Sequence, residues 1–445
     1  MPPPAPHKSV ALITSTGYAG TGSSAGTNIL EEFMSVKSMN NEEFTFLHDN
    51  DGIGDLEDAL KEGHRLKTDL AIKRFLKLSH DLMRLHYYKQ SFSGKFEQYS
   101  NEFVDSIVKC KWQGWWERAF EMTVLSKTDK FRIKFAEATY DFLIKANPYD
   151  LYEPDSWRPH QYKPVTTTYY SNISSIADEA FFLNQVRVFT SKLLAEENSN
   201  DAYKYILLDQ AVPPISISKY ARYWENPKIL VIDRDPRDLY VLVKAVWGWP
   251  LIPAKTVEQF IVWYQATRQL RENESQNQFL FLPFESLIYE YDNSLKRIIE
   301  YTELSESNHI HKLQHFNPEL SQKNTQIFRQ YPELTSDINK IEKTLEKYCY
   351  RFPESRPNIP LKKIYIQEIN EITESVQETG ALPKQQRKHL LSILFFMTHF
   401  SKNWKEIQNR KGIKLFKLFI KLGVSLVLLP FELIIYSCWM VGTKK

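Results

Sequence analysis

Glycine is scarce in this sequence. There are 14 among 445 residues, about 3% where ordinary chains carry roughly 7%. Cysteine is rarer still: Cys110, Cys349 and Cys438 lie far apart and are odd in number. That excludes a full set of paired disulfides and suits a reducing compartment. No CxxC pair, no HExxH and no Cys/His cluster at zinc spacing occurs, and the pair His309 and His311 alone is a weak signal. An excess of one charge is also missing. The 57 Lys+Arg and 54 Asp+Glu leave +3, which argues against a dedicated nucleic-acid binder. The start, MPPPAPHKS, has no basic n-region, and VALITSTGYAG after it is too soon broken by glycine for a signal peptide.

What is present is an ordered composition, 25% charged and 14% aromatic, in a chain long enough for one large core or several smaller ones. The few glycines are concentrated. Gly17, Gly20, Gly22, Gly26, Gly52 and Gly54 all fall within the first 54 residues, where the backbone must adopt unusual geometry.

Residues 9–14 read as a short buried strand, followed by STGYAGTGSSAG and then by the helical pattern TNILEEFMSV. EFTFLH at 43–48 reads as a second strand, followed by DNDGIGD and an amphipathic helix from Leu56. Residues 65–145 look mainly helical, interrupted by the aromatic island KWQGWWERAF, and 146–175 read as an irregular connection. AYKYILLDQAV, NPKILVIDRDPRD and FLFLPFESLI supply three more strands, the last followed by a helix through Leu304. Residues 334–351 and 365–409 look helical. Strands alternating with helices predict an α/β fold whose parallel sheet binds ligands at its carboxyl edge. The expected division is a lead-in over 1–8, an α/β domain over 9–355 with a helical and irregular insertion at 65–175, a helical extension over 356–410, and a tail over 411–445.

The tail differs from the rest. KGIKLFKLFIK carries Lys411, Lys414, Lys417 and Lys421 at helical spacing, and LGVSLVLLPFELIIYSCWMVG after it is almost wholly apolar. About 20 apolar residues can cross a bilayer, although Pro430 and Glu432 interrupt the run. The expectation is a membrane-associating tail, a basic interfacial helix followed by a Pro-bent segment; a buried C-terminal helix and a partner-binding helix are the alternatives.

Gly17, Tyr18, Gly20, Thr21, Gly22, Ser23 and Ser24 lie between a strand and a helix. Glycines let N–H groups curl around an anion, a helix N-terminus adds a favourable dipole, and the hydroxyls add donors. Gly22 is followed by Ser-Ser, so this is not a Walker A loop, and the spacing does not fit GxGxxG. A second element follows strand KILVID as Arg234-Asp235-Pro236-Arg237-Asp238. Pro236 sets the turn, and the Arg234 guanidinium can fork onto a phosphate. A Gly/Ser loop and a later strand-end Arg together describe a ligand with two phosphate groups.

At these residues the sequence resembles the sulfotransferases that use 3′-phosphoadenosine 5′-phosphosulfate, over roughly residues 9–350. Its carriers are GYAGTGSSAGTNIL, similar to the 5′-phosphosulfate loop, and ILVIDRDPRDLYV, similar to the 3′-phosphate element. FLPFESLIYEYDNSLKRIIEYTEL and FNPELSQKNTQIF resemble the family's late strand and helix and a donor-covering loop. LHDNDGIGDLEDAL and WQGWW look like the bacterial branch that acts on glycans or lipids. The resemblance implies a P-loop-like three-layer fold and that donor. It also implies a glycan or lipid-linked acceptor. The tail and the reducing compartment together predict a place on the cytoplasmic face of a membrane. Two departures stand out. The loop has no Lys, and Leu242 stands eight residues after Arg234, where many members carry Ser.

The family's base is a His or a carboxylate near the loop after the second strand. Here that loop offers Asp51 first, then His48, then Asp49, while Asp55 is read as a helix cap. Lys323 and Asn324 could reach the donor's 3′-phosphate or adenine. Asp209, Gln210, Trp112, Trp115 and Trp116 are candidates for the acceptor side, and Glu285 is read as a structural residue at a strand end. A nucleotide-dependent kinase and a catalytically inactive membrane-attached relative are the alternatives.

Overall fold

The structure, a computed structural model, describes residues 10–115, 166–171, 179–248 and 251–353. The lead-in over 1–8, Trp116, the extension over 356–410 and the tail over 411–445 lie outside the described residues. Two compact units are distinguished, Met1–Lys244 with Pro250–Leu361, and Ala245–Trp249 with Lys362–Lys445. The parallel sheet and the loops at its carboxyl edge belong to the first.

Seven strands occur among the described residues: β1 (Ala11–Gly17), β2 (Val36–Glu43), β3 (Cys110–Trp115), β4 (Thr166–Ser171), β5 (Tyr205–Asp209), β6 (Lys228–Asp233) and β7 (Leu280–Pro283). Five form one parallel sheet in the order β2-β5-β1-β6-β7, and β3 pairs with β4 in an antiparallel ribbon. The central strands read as nearly unbroken apolar runs, YILLD and KILVID, because both faces of the sheet are covered. Successive side chains alternate between two cores. Leu12, Ile206, Leu208, Ile229 and Val231 face one core; Ile13, Leu207, Leu230, Ile232 and Leu282 face the other.

Helix α1 (Ser23–Glu31) packs on the second face through Ala25, Ile29 and Leu30, beside Leu295 and Ile298 of the helix Tyr291–Thr302. The first face is covered by α2 (Ile53–Glu62), α3 (Arg65–Leu82), α4 (His86–Gln90), α5 (Phe96–Ile107) and the helix Glu179–Glu197. That layer is rich in aromatic rings. Phe46 meets Phe96, Phe189 and Trp224 at centroid distances of 5.2, 5.9 and 6.1 Å, geometries that add to simple burial.

The structure departs from the expected elements in two places. EFTFLH is not a strand; the second strand is the polar run Val36–Glu43 just before it. Its alternating Phe44 and Phe46 are fully buried among the aromatic rings of the first face, while the backbone of Thr45–Asp49 closes a turn. The periodicity marked core insertion, and β2 is held by pairing with β5, with Val36 and Met39 adding apolar contacts. The aromatic island begins in a strand. Trp112 stands opposite Tyr169 and Trp115 opposite Thr166, so part of the stretch read as an irregular connection is β4.

Candidate functional site

β1 and β6 are neighbours, with Gly17 opposite Ile232. The chain leaves β1 toward β2 on one side of the sheet and leaves β6 toward β7 on the other. The loops at their carboxyl ends therefore diverge, which makes the crevice at which open α/β sheets bind ligands. The two elements singled out in the sequence emerge side by side here.

 Gly20 and Arg234, 214 positions apart in the chain, are joined directly across this crevice by a hydrogen bond.

The first loop is shaped by its own sequence. Gly20 and Gly22 both take positive φ, +74° and +90°, a region that suits glycine. A Cβ on Gly22 would also lie 2.6 Å from the Phe284 ring. Gly22 opens α1, and no side chain caps that helix. Its first N–H groups, which have no intrahelical acceptor, are left for an anion. The side chains of the loop divide into two sets. Thr21 is fully buried, and its hydroxyl bonds the carbonyls of Tyr18 (2.7 Å) and Ile232 (2.9 Å). The Tyr18 hydroxyl points to the carbonyls of Pro214 and Thr267, and burial raises its pKa. These two side chains anchor the loop. Ser23 is half-buried and Ser24 exposed, and they carry the hydroxyls at the mouth of the helix.

Arg234 lies over the Phe284 ring at 4.2 Å and donates from Nη1 to the Gly20 carbonyl at 3.0 Å. It is 7% exposed, and its Nε has no partner. The guanidinium thus faces the Gly-rich loop with donor capacity in reserve. Beneath it lies a buried ionic network. Asp233 takes two bonds from Arg268 (3.0 and 2.6 Å) and one from Arg271 (2.9 Å). Arg268 is itself sandwiched between the rings of Tyr18 and Tyr264, at 3.6 and 3.7 Å. Asp235 caps the helix Pro236–Val241 by accepting from the Arg237 N–H, with Pro236 at its first position. Glu285 accepts from the Asp235 N–H at 3.1 Å, the structural role expected for it. Burial, with Asp235 and Asp238 nearby, pushes the Glu285 carboxyl well up.

Asp238 holds the segment resembling the donor-covering loop. It accepts from the N–H groups of Gln326 (2.7 Å) and Phe328 (3.0 Å). Burial and then Asp235 push its carboxyl up to about 7. At the other end of that segment, Glu32 accepts from the N–H groups of His315 and Phe316, both at 3.1 Å, and meets His309 Nε2 at 2.7 Å. Between these two anchors lie Lys323, exposed, and Asn324, half-buried, in a single turn of 3₁₀ helix. Among the described residues, no group of His, Cys, Asp and Glu is placed to hold a metal ion.

Gln210 joins the loops after β1, β2 and β5. Its Oε1 accepts from Thr16 Oγ1 at 2.7 Å and faces the Gly17 N–H at 3.5 Å, and its Nε2 donates to Ser23 Oγ at 2.9 Å. Its main-chain carbonyl lies 2.8 Å from His48 Nε2. Burial lowers the His48 pKa, opposed by that bond and by Asp49. The other base candidates stand differently. Asp49 accepts from Thr45 Oγ1 at 2.8 Å. Asp51 is 45% exposed, with Arg74 3.9 Å away. Asp55 is not the N-cap, a position that Gly52 holds; it reaches back from the first turn of α2 to the Asp51 N–H at 2.7 Å.

Asp209 is 6% exposed, and burial followed by the nearby Glu43 pushes its carboxyl up to about 7. Trp112 and Trp115 lie on β3, away from the parallel sheet's hydrogen-bonded ladder. Sequence reading missed Asp238, Arg268 and Arg271. Asp238 carried a local signal as the last residue of RDPRD, whereas QATRQLRE looks like any charged helix.

No protein-family model matches this chain, and no curated protein is significantly similar to it. Among the described residues, no helix is long and apolar enough to cross a membrane.

Proposed function

We propose that this chain is a sulfotransferase that moves a sulfuryl group from 3′-phosphoadenosine 5′-phosphosulfate to a hydroxyl of a glycan or lipid-linked acceptor. The observation that carries the reading is the meeting of the two phosphate elements. The uncapped N-terminus of α1 and the forked cation Arg234 stand on adjacent strands, with Arg234 reaching Gly20. The unpaired Arg234 Nε and the positive-φ glycines fit a ligand carrying two separated anionic groups. Reading the sheet and its two covering layers as a P-loop-like three-layer fold belongs to the same proposal.

When bound, the donor supplies an activated sulfuryl group. An oxygen–sulfur bond to the acceptor forms, the bond from sulfur to the 5′-phosphate oxygen breaks, and the acceptor hydroxyl loses its proton. The chain's own residues have three tasks. The first-turn N–H groups of α1 and the Ser23 hydroxyl face the negative charge, a duty made heavier by the absence of a loop Lys. Arg234 holds the second anionic group. His48 accepts the proton, because burial keeps it neutral and Gln210 fixes its ring. His48 therefore precedes Asp51 as the base, since Asp51 is solvated and turned toward Arg74. Residues 411–445 would bring this site to the cytoplasmic face of a membrane, a placement supported by their lysine spacing and apolar run.

The test is transfer of labelled sulfate from the donor into fractionated glycan and lipid extracts. Label in an acceptor fraction is the expected result. Consumption of ATP with magnesium, and none of the sulfated donor, would favour a kinase instead.

A further inference from the structure

We infer that Gln210 is a positioning residue that locks the His48 tautomer and couples the base to the anion loop. The inference rests on the proposed function and replaces the acceptor-side role expected for Gln210 from the sequence.

The orientation of the amide follows from its partners. The Gly17 N–H and the Thr16 hydroxyl face one end of the group, so that end is the oxygen. The nitrogen then faces Ser23 Oγ at 2.9 Å. Ser23 Oγ accepts that bond, which leaves its own proton free for an anion at the mouth of α1.

The backbone of the same residue acts on His48. Gln210 has φ +56°, an uncommon conformation for a residue other than glycine. It is held there by its N–H on the Ser15 carbonyl at 3.1 Å and by the following N–H, of Ala211, on Thr14 Oγ1 at 3.2 Å. The carbonyl is thereby aimed at His48 Nε2. A carbonyl can only accept, so Nε2 carries the hydrogen and Nδ1 keeps the basic lone pair. The other groups facing the ring are Asp49, whose charge favours protonation, and Tyr220, which meets it edge-on at 5.7 Å. One residue thus senses the loop through its side chain and sets the base through its carbonyl. An anion that draws the Ser23 proton pulls on the amide whose backbone orients His48.

The experiment uses the full chain with ¹⁵N-labelled histidine, and His48→Gln assigns the signal. Long-range proton–nitrogen spectra are expected to show His48 protonated at Nε2. Adenosine 3′,5′-bisphosphate is expected to shift that signal. Gln210→Gly keeps the positive φ and the carbonyl but removes the amide. In this variant the tautomer is expected to persist, the bisphosphate to bind about tenfold more weakly, and the His48 shift at saturation to vanish. Gln210→Glu, which keeps the side-chain shape, is expected to show the same weakening, because a carboxylate cannot donate to Ser23. A His48 protonated at Nδ1, or an undiminished shift in saturated Gln210→Gly, would overturn the inference. Failure of the wild type to bind the bisphosphate, with His48 still protonated at Nε2, would sink the proposed function and reduce Gln210 to a structural tie.

Discussion

His48 Nε2 and the main-chain carbonyl of Gln210 lie 2.8 Å apart, although 162 positions separate the two residues. The contact ties the loop after β2 to the end of β5, where the Gln210 side chain also reaches the loop after β1. Burial, against the opposing pull of that bond, keeps this imidazole neutral to lower pH than a free one.

That sets the pH dependence. A base works only when unprotonated, and burial lowers the His48 pKa below its ordinary 6.5. Turnover should therefore hold as pH falls through 6.5 and drop only below it. His48→Gln should lower kcat by roughly 10²-fold or more and remove that acid limb, with donor-product affinity little changed. An acid limb that survives in His48→Gln would assign the base to another group.

Gly22 has two reasons to be glycine, its φ of +90° and the Phe284 ring 2.6 Å from where a Cβ would stand. Gly22→Ala should cost about 2 kcal/mol or more in stability, read by denaturant unfolding. Adding Phe284→Leu should recover only part of the loss, because the backbone strain remains. Full recovery would mean that the ring contact alone demands glycine.

Asp209 gives a stability prediction with a definite sign. Its folded pKa, about 7, lies above its ordinary 3.8. Between those values the folded state holds a proton that the unfolded state releases, so this group lowers stability as pH rises. Asp209→Asn should raise the melting temperature at pH 8 relative to wild type and change it little at pH 4. If Asp209 instead took part in turnover, the variant would lose activity at every pH.

The tail carries its own prediction. Removal of residues 411–445 should release the protein from membranes while leaving adenosine 3′,5′-bisphosphate binding intact. Unfolding of the shortened chain would identify those residues as part of a core.

The parts of the site that a local pattern encodes were legible in the sequence. A Gly/Ser run between strand and helix and an Arg-Asp-Pro turn after an apolar strand need only their neighbours to form, and both stand at the expected strand ends. The ties between them were not legible. Arg268 and Arg271 look like surface charges on a helix until Asp233 is found beneath them. Phe44 and Phe46 alternate as in a strand, yet they fill an aromatic core contributed by distant helices. Asp51 looked the better base because it precedes Gly52, but exposure and catalytic placement depend on packing that spacing does not encode. Gln210 stood out only as a strand-end candidate for the acceptor side; a role that lies in a carbonyl direction and a φ of +56° leaves no mark in the sequence.

The most direct measurement of the central claim is calorimetric titration of the full chain with adenosine 3′,5′-bisphosphate, beside Arg234→Ala and Arg234→Lys. Saturable binding by wild type, loss of binding in Arg234→Ala, and little rescue by lysine, which cannot present a fork, are expected. Equal affinity in wild type and Arg234→Ala would contradict the claim.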